Sequence, residues 1–289
     1  MSADRLLYDS PAAWREARDR RVTFFGMSGL GKTRLARMLR DAGGWFHYSV
    51  DYRIGTAYMG EHIADNLKRE AMAVPFLARL LRSDSIFIGS NITFENLAPL
   101  STFLGQPGDP ERGGLPIEEY RRRQALHRRA EINALLDTPH FIDRARDLYG
   151  YAGFVNDTGG SICEVVDPED PQDEVMRVLS ASTLPVWIEG DEAHTRTLIE
   201  RFARAPKPMY YRPEFLETLW QEHGGARVDP DAFARIAYAE VIAARQPRYA
   251  AMAWNWGVSV KAAEVETVRD AEDVTELVAE AIGNHARRA

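Results

Sequence analysis

The sequence has almost no cysteine and no long apolar stretch, and both absences narrow the class of protein. Cys163 is the only cysteine among 289 residues, which excludes an intramolecular disulfide and a cysteine-rich metal site. No stretch approaches the roughly 18 uncharged apolar residues that a membrane span needs. Residues 1–21 carry Asp, Arg and Glu and lack the apolar core of a secretory signal. We therefore expect a cytoplasmic protein that binds no membrane, with Cys163 a small buried hydrophobe rather than a nucleophile.

Positive charge is also in the minority. The chain has 36 Lys and Arg against 43 Asp and Glu, a net charge of −7. This balance argues against a general nucleic-acid binder. Hydrophobic residues make up 45% of the chain, which is enough for a sizeable core. Composition does not indicate an oligomeric state.

One stretch matches the phosphate-binding pattern GxxxxGK[ST] at every fixed position. A β-branched and aromatic run at 22–25 predicts a buried strand before it, and apolar spacing over 34–40 predicts a helix after it. In that context glycines let backbone N–H groups surround an anion at the positive end of a helix dipole. We therefore predict a nucleoside triphosphate site, with Lys32 reaching the β- and γ-phosphates and Thr33 holding Mg²⁺. Its residues are Gly26, Met27, Ser28, Gly29, Leu30, Gly31, Lys32 and Thr33.

The rest of the chain alternates strand-like and helical segments. Strands are predicted at 45–50, 151–156, 185–189 and 249–260, with a possible short one at 85–90. This order predicts an α/β P-loop NTPase fold, a three-layer sandwich whose parallel sheet is covered by helices on both faces. We expect a single P-loop kinase-like domain over 1–289, with an inserted loop and helical lid region near 84–150 and a helical insertion near 209–244. Residues 91–116 show little periodicity and are predicted to be a lid, a binding segment or disordered.

Several motifs that mark other P-loop classes are missing. No NKxD or TKxD segment is present to read guanine, and no LSGGQ signature of transporters occurs. The absence of a guanine-reading loop favours ATP over GTP.

Five segments instead follow one another in the order of a kinase family. The phosphate loop comes first, and 49–51, 119–122, 158–160 and 245–249 come later; a Gly-x-x-Ile-x-Asp stretch lies at 60–65. In these segments the chain resembles the shikimate kinase family. Ser49 stands where that family carries the first acid of an Asp-x-Asp pair, and Asp51 matches the second. The chain is longer than a typical member, so the resemblance implies a related kinase rather than shikimate kinase itself.

The resemblance implies roles for individual residues. Asp51 would contact the acceptor hydroxyl and take its proton, Arg121 and Arg245 would hold a substrate carboxylate, and Arg204 would be a mobile arginine over the phosphates. Gly159 and Gly160 would form the substrate loop. Two arginines at one pocket would favour an anionic acceptor, because arginine binds carboxylate with paired hydrogen bonds.

Ordinary structural roles stay open for the same residues. Asp51 is also compatible with a helix N-cap or turn, Arg245 with a surface position, and the arginine run that starts at 121 with a solvated face. Asp157 follows an apolar run and either contacts the water ligands of Mg²⁺ or is a turn residue.

Three functions remain under consideration. The first is ATP- and Mg²⁺-dependent phosphoryl transfer to a hydroxyl of a small, anionic metabolite. The second is a regulatory ATPase that couples nucleotide binding to a lid or a protein partner. The third is a nucleoside monophosphate kinase.

Overall fold

The computed structural model describes residues 6–287 and divides them into two units. One contains every strand, and we call it the sheet unit; it comprises residues 6–50, 135–205 and 235–287. The other comprises residues 51–134 and 206–234, and we call it the helical unit. These last two segments overlap the insertions predicted near 84–150 and 209–244. The single-domain assignment stays a prediction.

The sheet unit is built on five parallel strands. They are Arg21–Phe25 (β1), Trp45–Ser49 (β2), Gly153–Asp157 (β3), Leu184–Glu189 (β4) and Val258–Lys261 (β5). Their order across the sheet is β2-β3-β1-β4-β5. All of β3 and four of the five residues of β1 are buried, as expected of parallel strands covered on both faces.

Helices occupy most of the remaining described chain. Their bounds are Pro11–Glu16 (α1), Lys32–Asp41 (α2), Val50–Arg53 (α3), Gly60–Met72 (α4), Pro75–Arg82 (α5), Ala98–Leu104 (α6), Ile117–Leu136 (α7), Thr138–Asp147 (α8), Ile162–Val165 (α9), Glu174–Ser182 (α10), Glu192–Arg204 (α11), Pro213–His223 (α12), Pro230–Trp256 (α13), Ala262–Thr267 (α14) and Ala271–Ala286 (α15). A π-helical turn covers Ile54–Tyr58 and a 3₁₀ turn covers Pro110–Arg112. Within residues 6–287 none of these helices is both long and apolar enough to cross a bilayer.

Helices cover both faces of the sheet. On one face α2 contacts β1, β2 and β3, and α15 contacts α2 and β5. Helices α8 and α10 contact each other, with α8 against β2 and β3 and α10 against β4. In the order β2-β3-β1-β4-β5, the chain moves from β1 to β2 in one direction, and the crossovers from β2 to β3, β3 to β4 and β4 to β5 run in the opposite direction. Right-handed crossovers in opposite directions place their helices on opposite faces, so α2 and α15 cover one face and α8 and α10 cover the other. The predicted α/β three-layer P-loop fold is therefore confirmed.

The predicted strand over 249–260 is wrong for most of its length. Helix α13 continues to Trp256, with Pro247 inside it, and only Val258–Lys261 forms β5. Pro247 removes the bond to the Ala243 carbonyl, but both residues are exposed, so water replaces that bond. Buried residues recur at helical spacing, at positions 245, 249, 252 and 256.

Residues 84–116 also differ from expectation. No strand forms at 85–90, where the backbone pairs with no other strand of the described residues. The stretch 91–116, predicted to be a lid, a binding segment or disordered, contains α6 and the 3₁₀ turn. Buried Leu100, Phe103 and Leu104 show why α6 forms: its apolar residues recur at one-turn spacing and pack inward.

Candidate active site

The phosphate loop connects β1 to α2, and three of its glycines adopt backbone angles that other residues rarely take. Gly26, Gly29 and Gly31 have φ of +130°, +92° and +103°. A Cβ on Gly26 would lie 2.8 Å from the Ile188 carbonyl oxygen, and one on Gly31 would lie 2.8 Å from the Val265 side chain. The loop therefore requires glycine at these positions for two reasons, conformation and space.

Lys32 points its ammonium group back into this loop. Its side chain is buried, and Nζ donates to the carbonyl oxygens of Gly26 at 2.8 Å and Met27 at 3.0 Å. Gly31 has no side chain to cap α2, so the first amides of that helix are not used by a local side-chain acceptor. A positive charge and the N-terminal amides of a helix at one place form an anion-binding arrangement.

A buried carboxylate ends the strand beside β1. Asp157 is the last residue of β3 and stands in register with Phe24 of β1 and Ser49 of β2. It is 7% exposed, and its Oδ2 lies 3.7 Å from Nε2 of His47. Asp157 and the exposed hydroxyl of Thr33 are hard oxygen donors, the type that Mg²⁺ prefers. These two residues therefore fit the metal role predicted for them.

The segment after β3 lies directly against the phosphate loop. A Cβ on Gly160 would be 2.6 Å from Oγ and 3.1 Å from the backbone nitrogen of Ser28. Thr158 fixes the start of this segment, since its Oγ1 donates to the carbonyl of Phe24 at 3.0 Å. Only glycine at 160 permits this approach, so the 157–160 segment shapes one wall of the loop.

Arg245 is buried against the segment that follows β3. Its guanidinium donates from Nε to Oε1 of Glu164 at 2.8 Å and from Nη1 to the Gly160 carbonyl at 2.8 Å. The hydroxyl of Tyr249, one turn further along α13, donates to the same carbonyl. Arg245 therefore holds the 160–164 segment of its own unit. The surface position that the sequence left open for Arg245 is wrong.

The neighbouring residues complete this anchor. Arg248 donates to the carbonyls of Cys163 at 2.7 Å and Val166 at 2.6 Å. Cys163 is fully buried, as predicted, and burial raises the pKa of its thiol to about 12. Burial likewise raises the pKa of Tyr249 well above its ordinary value, which keeps its hydroxyl a donor. Helix α13 thus holds the 160–166 segment through three side chains.

Two arginines end helix α11, and they differ in what surrounds them. Arg204, the predicted lid arginine, is exposed on the last turn. The guanidinium of Arg201 lies beside the phosphate loop, because a Cβ built on Gly29 would be 3.9 Å from Nη1 of Arg201. Arg201 has no hydrogen-bond or ion-pair partner among residues 6–287. The sequence alone did not show which of Arg201 and Arg204, three residues apart, lies beside the phosphate loop.

The remaining predicted residues, Asp51 and Arg121, belong to the helical unit. Asp51 lies in the first turn of α3, two positions after β2 ends. Arg121 is bound by Glu217 through two hydrogen bonds of 2.7 Å and also contacts Glu118. The same helix pairs its next two arginines with Glu119, which holds the pKa of that carboxyl at about 2.

Sequence reasoning missed three residues of this region. Glu164, the partner of Arg245, gave no signal because it lies 81 positions away in the chain. His47 lies in a strand and reads as an ordinary core position. Arg201 carried a weak signal, since it lies in the stretch 201–208 from which Arg204 was chosen.

Comparisons with known proteins return little. No family model matches the chain, and no match was found among curated proteins. Among solved structures, the 1.7 Å crystal structure of shikimate kinase from Bacteroides thetaiotaomicron is similar over 93% of this chain and 95% of that one, at 15% identity and a TM-score of 0.36. A likeness of this size establishes no shared activity, so the functional conclusions rest on the residues described above.

Proposed function

We propose that this protein transfers the γ-phosphoryl group of ATP, with Mg²⁺, to a hydroxyl of a small molecule. One observation carries the proposal: an inward-facing lysine in a three-glycine phosphate loop lies next to a strand that ends in a buried carboxylate. Phosphoryl transfer asks the protein for positioning and charge stabilisation, and this arrangement supplies both. The missing guanine-reading segment supports ATP as the nucleotide.

The residues of the sheet unit divide the work on the nucleotide. Lys32 and the first amides of α2 would stabilise the negative charge of the β- and γ-phosphates. Thr33 and Asp157 would hold Mg²⁺, which when bound neutralises further phosphate charge. The Gly159 and Gly160 segment would confine the loop from the side.

Asp51 is the residue we propose to contact the acceptor hydroxyl, because it lies directly after β2. Its carboxylate would orient the acceptor hydroxyl and take the proton as the oxygen bonds to the γ-phosphorus and the bond to ADP breaks. Ser49 stands where the shikimate kinase family, which this chain resembles, carries the first acid of its Asp-x-Asp pair, so Asp157 is the carboxylate we assign to the metal.

Arg201 is a stronger candidate than Arg204 for the arginine that covers the phosphates. Its guanidinium lies beside Gly29 and is not committed to any group in residues 6–287. An uncommitted arginine at a phosphate loop is available to stabilise charge that develops during transfer.

The paired arginines bear on the acceptor. Arg121 and Arg245, the proposed carboxylate-binding residues, are each bound to glutamates of their own unit. This pairing weighs against an anionic acceptor and favours, as a second candidate, a regulatory ATPase that needs no acceptor. The nucleoside monophosphate kinase has no comparable observation in its support.

One experiment separates these candidates. The pure protein is incubated with ATP, Mg²⁺ and a metabolite extract, and new phosphorylated masses are recorded. A kinase yields one phosphorylated metabolite per ATP consumed, and a monophosphate kinase releases ADP only when a nucleoside monophosphate is added. Slow hydrolysis without acceptor, rising when a protein partner is added, would support the regulatory ATPase and contradict the kinase proposal.

Variants then test the residue roles. Lys32→Ala should lower the transfer rate by about 10²–10³, the cost of losing a preorganised charged donor. Asp51→Asn should abolish acceptor phosphorylation and leave ATP binding nearly intact, whereas the exposed control Asp19→Asn should change neither. Full transfer activity in Asp51→Asn would refute the role assigned to that residue.

A further inference from the structure

Residues 86–92 of the helical unit lie outside any helix or turn and have the exposure pattern of a strand. The side chains at 86, 88, 90 and 92 are partly covered, and those at 87, 89 and 91 are exposed. Alternation with a period of two is the signature of a β-strand with one face covered. Phe87 is 92% exposed, the highest value among the exposed large hydrophobic residues described.

The backbone of this segment has no partner in the described chain. From Ile86 to Ser90 no N–H or C=O group forms a hydrogen bond with any of residues 6–287. A row of unbonded backbone groups beside apolar side chains is a template for another strand.

Both ends of the segment are held by contacts within the helical unit. At one end the Ser85 N–H donates to the carbonyl of Leu80 at 2.9 Å. At the other end Nδ2 of Asn96 donates to the Asn91 carbonyl at 2.7 Å, and Ile92 packs against Gly55. A strand that is already ordered loses little conformational entropy when it pairs.

We propose that this segment pairs, antiparallel, with the same segment of a second copy of the chain, about a two-fold axis at Phe87. The run Ile86-Phe87-Ile88 reads the same in both directions, so this register sets isoleucine against isoleucine and phenylalanine against phenylalanine. A two-fold contact requires such self-complementarity. No charged residue lies between 85 and 94, so no like charges meet across the axis.

Shifted registers are less favourable. Centring the axis one residue later sets Phe87 against Gly89, and centring it one residue earlier sets Asp84 against Ile88. Each shift replaces an apolar pair with a mismatched one.

The pairing is small in area. A phenylalanine side chain buries about 150–250 Å², and one short strand pair stays well below the roughly 1,200–2,000 Å² of a stable interface. We therefore expect a weak, reversible dimer that forms as the protein concentration rises.

Cysteine cross-linking tests the register. Directly opposed residues of an antiparallel pair have Cβ atoms about 4.5–5.5 Å apart, close to disulfide geometry, so the Phe87→Cys variant should cross-link on mild oxidation. Two copies of Ser85→Cys would stand roughly 13 Å apart along the strands and should cross-link about tenfold less. Phe76→Cys, at an exposed phenylalanine of α5, is the control for random collision. The native Cys163 is fully buried and does not compete.

Sedimentation equilibrium tests the association itself. The wild-type weight-average mass should rise with concentration, Phe87→Asp should remove that rise, and Phe76→Asp should preserve it. Equal cross-linking of the three cysteine variants, or a monomer mass at every concentration up to about 1 mM, would overturn the proposal. A monomer whose Phe87 amide is protected from hydrogen exchange would also overturn it, because another part of the same chain would then cover the edge.

Discussion

The buried pair of Arg245 and Glu164 offers the sharpest test of how the site is held together. Both side chains are 2% exposed, and their Nε to Oε1 distance is 2.8 Å. Replacing Arg245 with methionine leaves the Glu164 carboxylate in the interior without its arginine, a change that typically costs 3–5 kcal/mol, so we expect a loss of about that size. At about 2 °C per kcal/mol for a protein this large, the melting temperature should fall by roughly 6–10 °C.

A double-mutant cycle isolates the pair. Arg245→Met and Glu164→Leu are each expected to destabilise strongly, whereas the double variant replaces both charges with apolar groups and should recover part of the loss. The free energy of unfolding comes from urea titration followed by intrinsic tryptophan fluorescence, to which the buried Trp187, whose ring stacks near Tyr249, contributes. Five of the six tryptophans lie in the sheet unit and Trp220 lies in the helical unit, so the signal reports mainly on the sheet unit.

The outcome also decides what Arg245 does. Single variants within about 1 kcal/mol of the wild type, or a double variant equal to the sum of the singles, would refute the structural role. If Arg245 instead binds a substrate carboxylate, Arg245→Met should leave stability unchanged and raise the KM for the acceptor. Loss of stability with a KM that is unchanged supports the anchor.

Three further predictions concern space and pH. Gly160→Ala puts a methyl group 2.6 Å from Oγ of Ser28 and should weaken ATP binding at least tenfold, measured by calorimetry. The hydrogen bond that His194 donates to the Asp191 carboxylate, with a smaller contribution from Glu266, raises the pKa of His194, so its stabilisation should be full below pH about 6.5 and be lost as pH rises through the folded pKa. Glu119, whose pKa its arginine partners lower to about 2, should stabilise the fold above pH about 4.5, and this contribution should disappear as pH falls toward 2.

Each of these three predictions has a control variant. Gly89→Ala introduces a methyl group whose nearest neighbour is a Phe87 ring carbon at 3.8 Å, an ordinary van der Waals contact, and should not affect ATP affinity. The pH dependence of unfolding in His194→Gln should lack the loss that the wild type shows above neutrality, and Glu119→Gln should lack the loss at acid pH. Unchanged pH profiles in either variant would contradict the ion pairs described.

Much of the fold could be predicted from the sequence because the patterns that determine it involve neighbouring residues. Strand β1, the phosphate loop and α2 are adjacent in sequence, and the loop geometry depends on glycines that the pattern names directly. The predicted strand over 249–260 is helical up to Trp256, even though Pro247 lies inside that helix. The helical spacing of buried residues from 245 to 256 was present in the sequence and outweighs one lost hydrogen bond that faces water.

The prediction of a strand at 85–90 was wrong for a different reason. Its composition and its alternating exposure are those of a strand, but a strand exists only where a second chain segment supplies hydrogen bonds. No described part of the same chain does so. Propensity alone therefore predicted a strand where the described chain supplies no partner for one.

By itself the sequence determined the phosphate loop, with Lys32 and Thr33 behind its glycines, and the alternation of strands and helices that makes a parallel sheet. These follow from torsion angles and periodicity, which neighbouring residues control. Only the tertiary structure decided that Arg245 meets Glu164 and Gly160, and that Arg201 rather than Arg204 has its guanidinium beside Gly29. Such contacts join residues about 80 to 170 positions apart, so the packing of the whole sheet unit, and no local pattern, determines which charge each arginine faces.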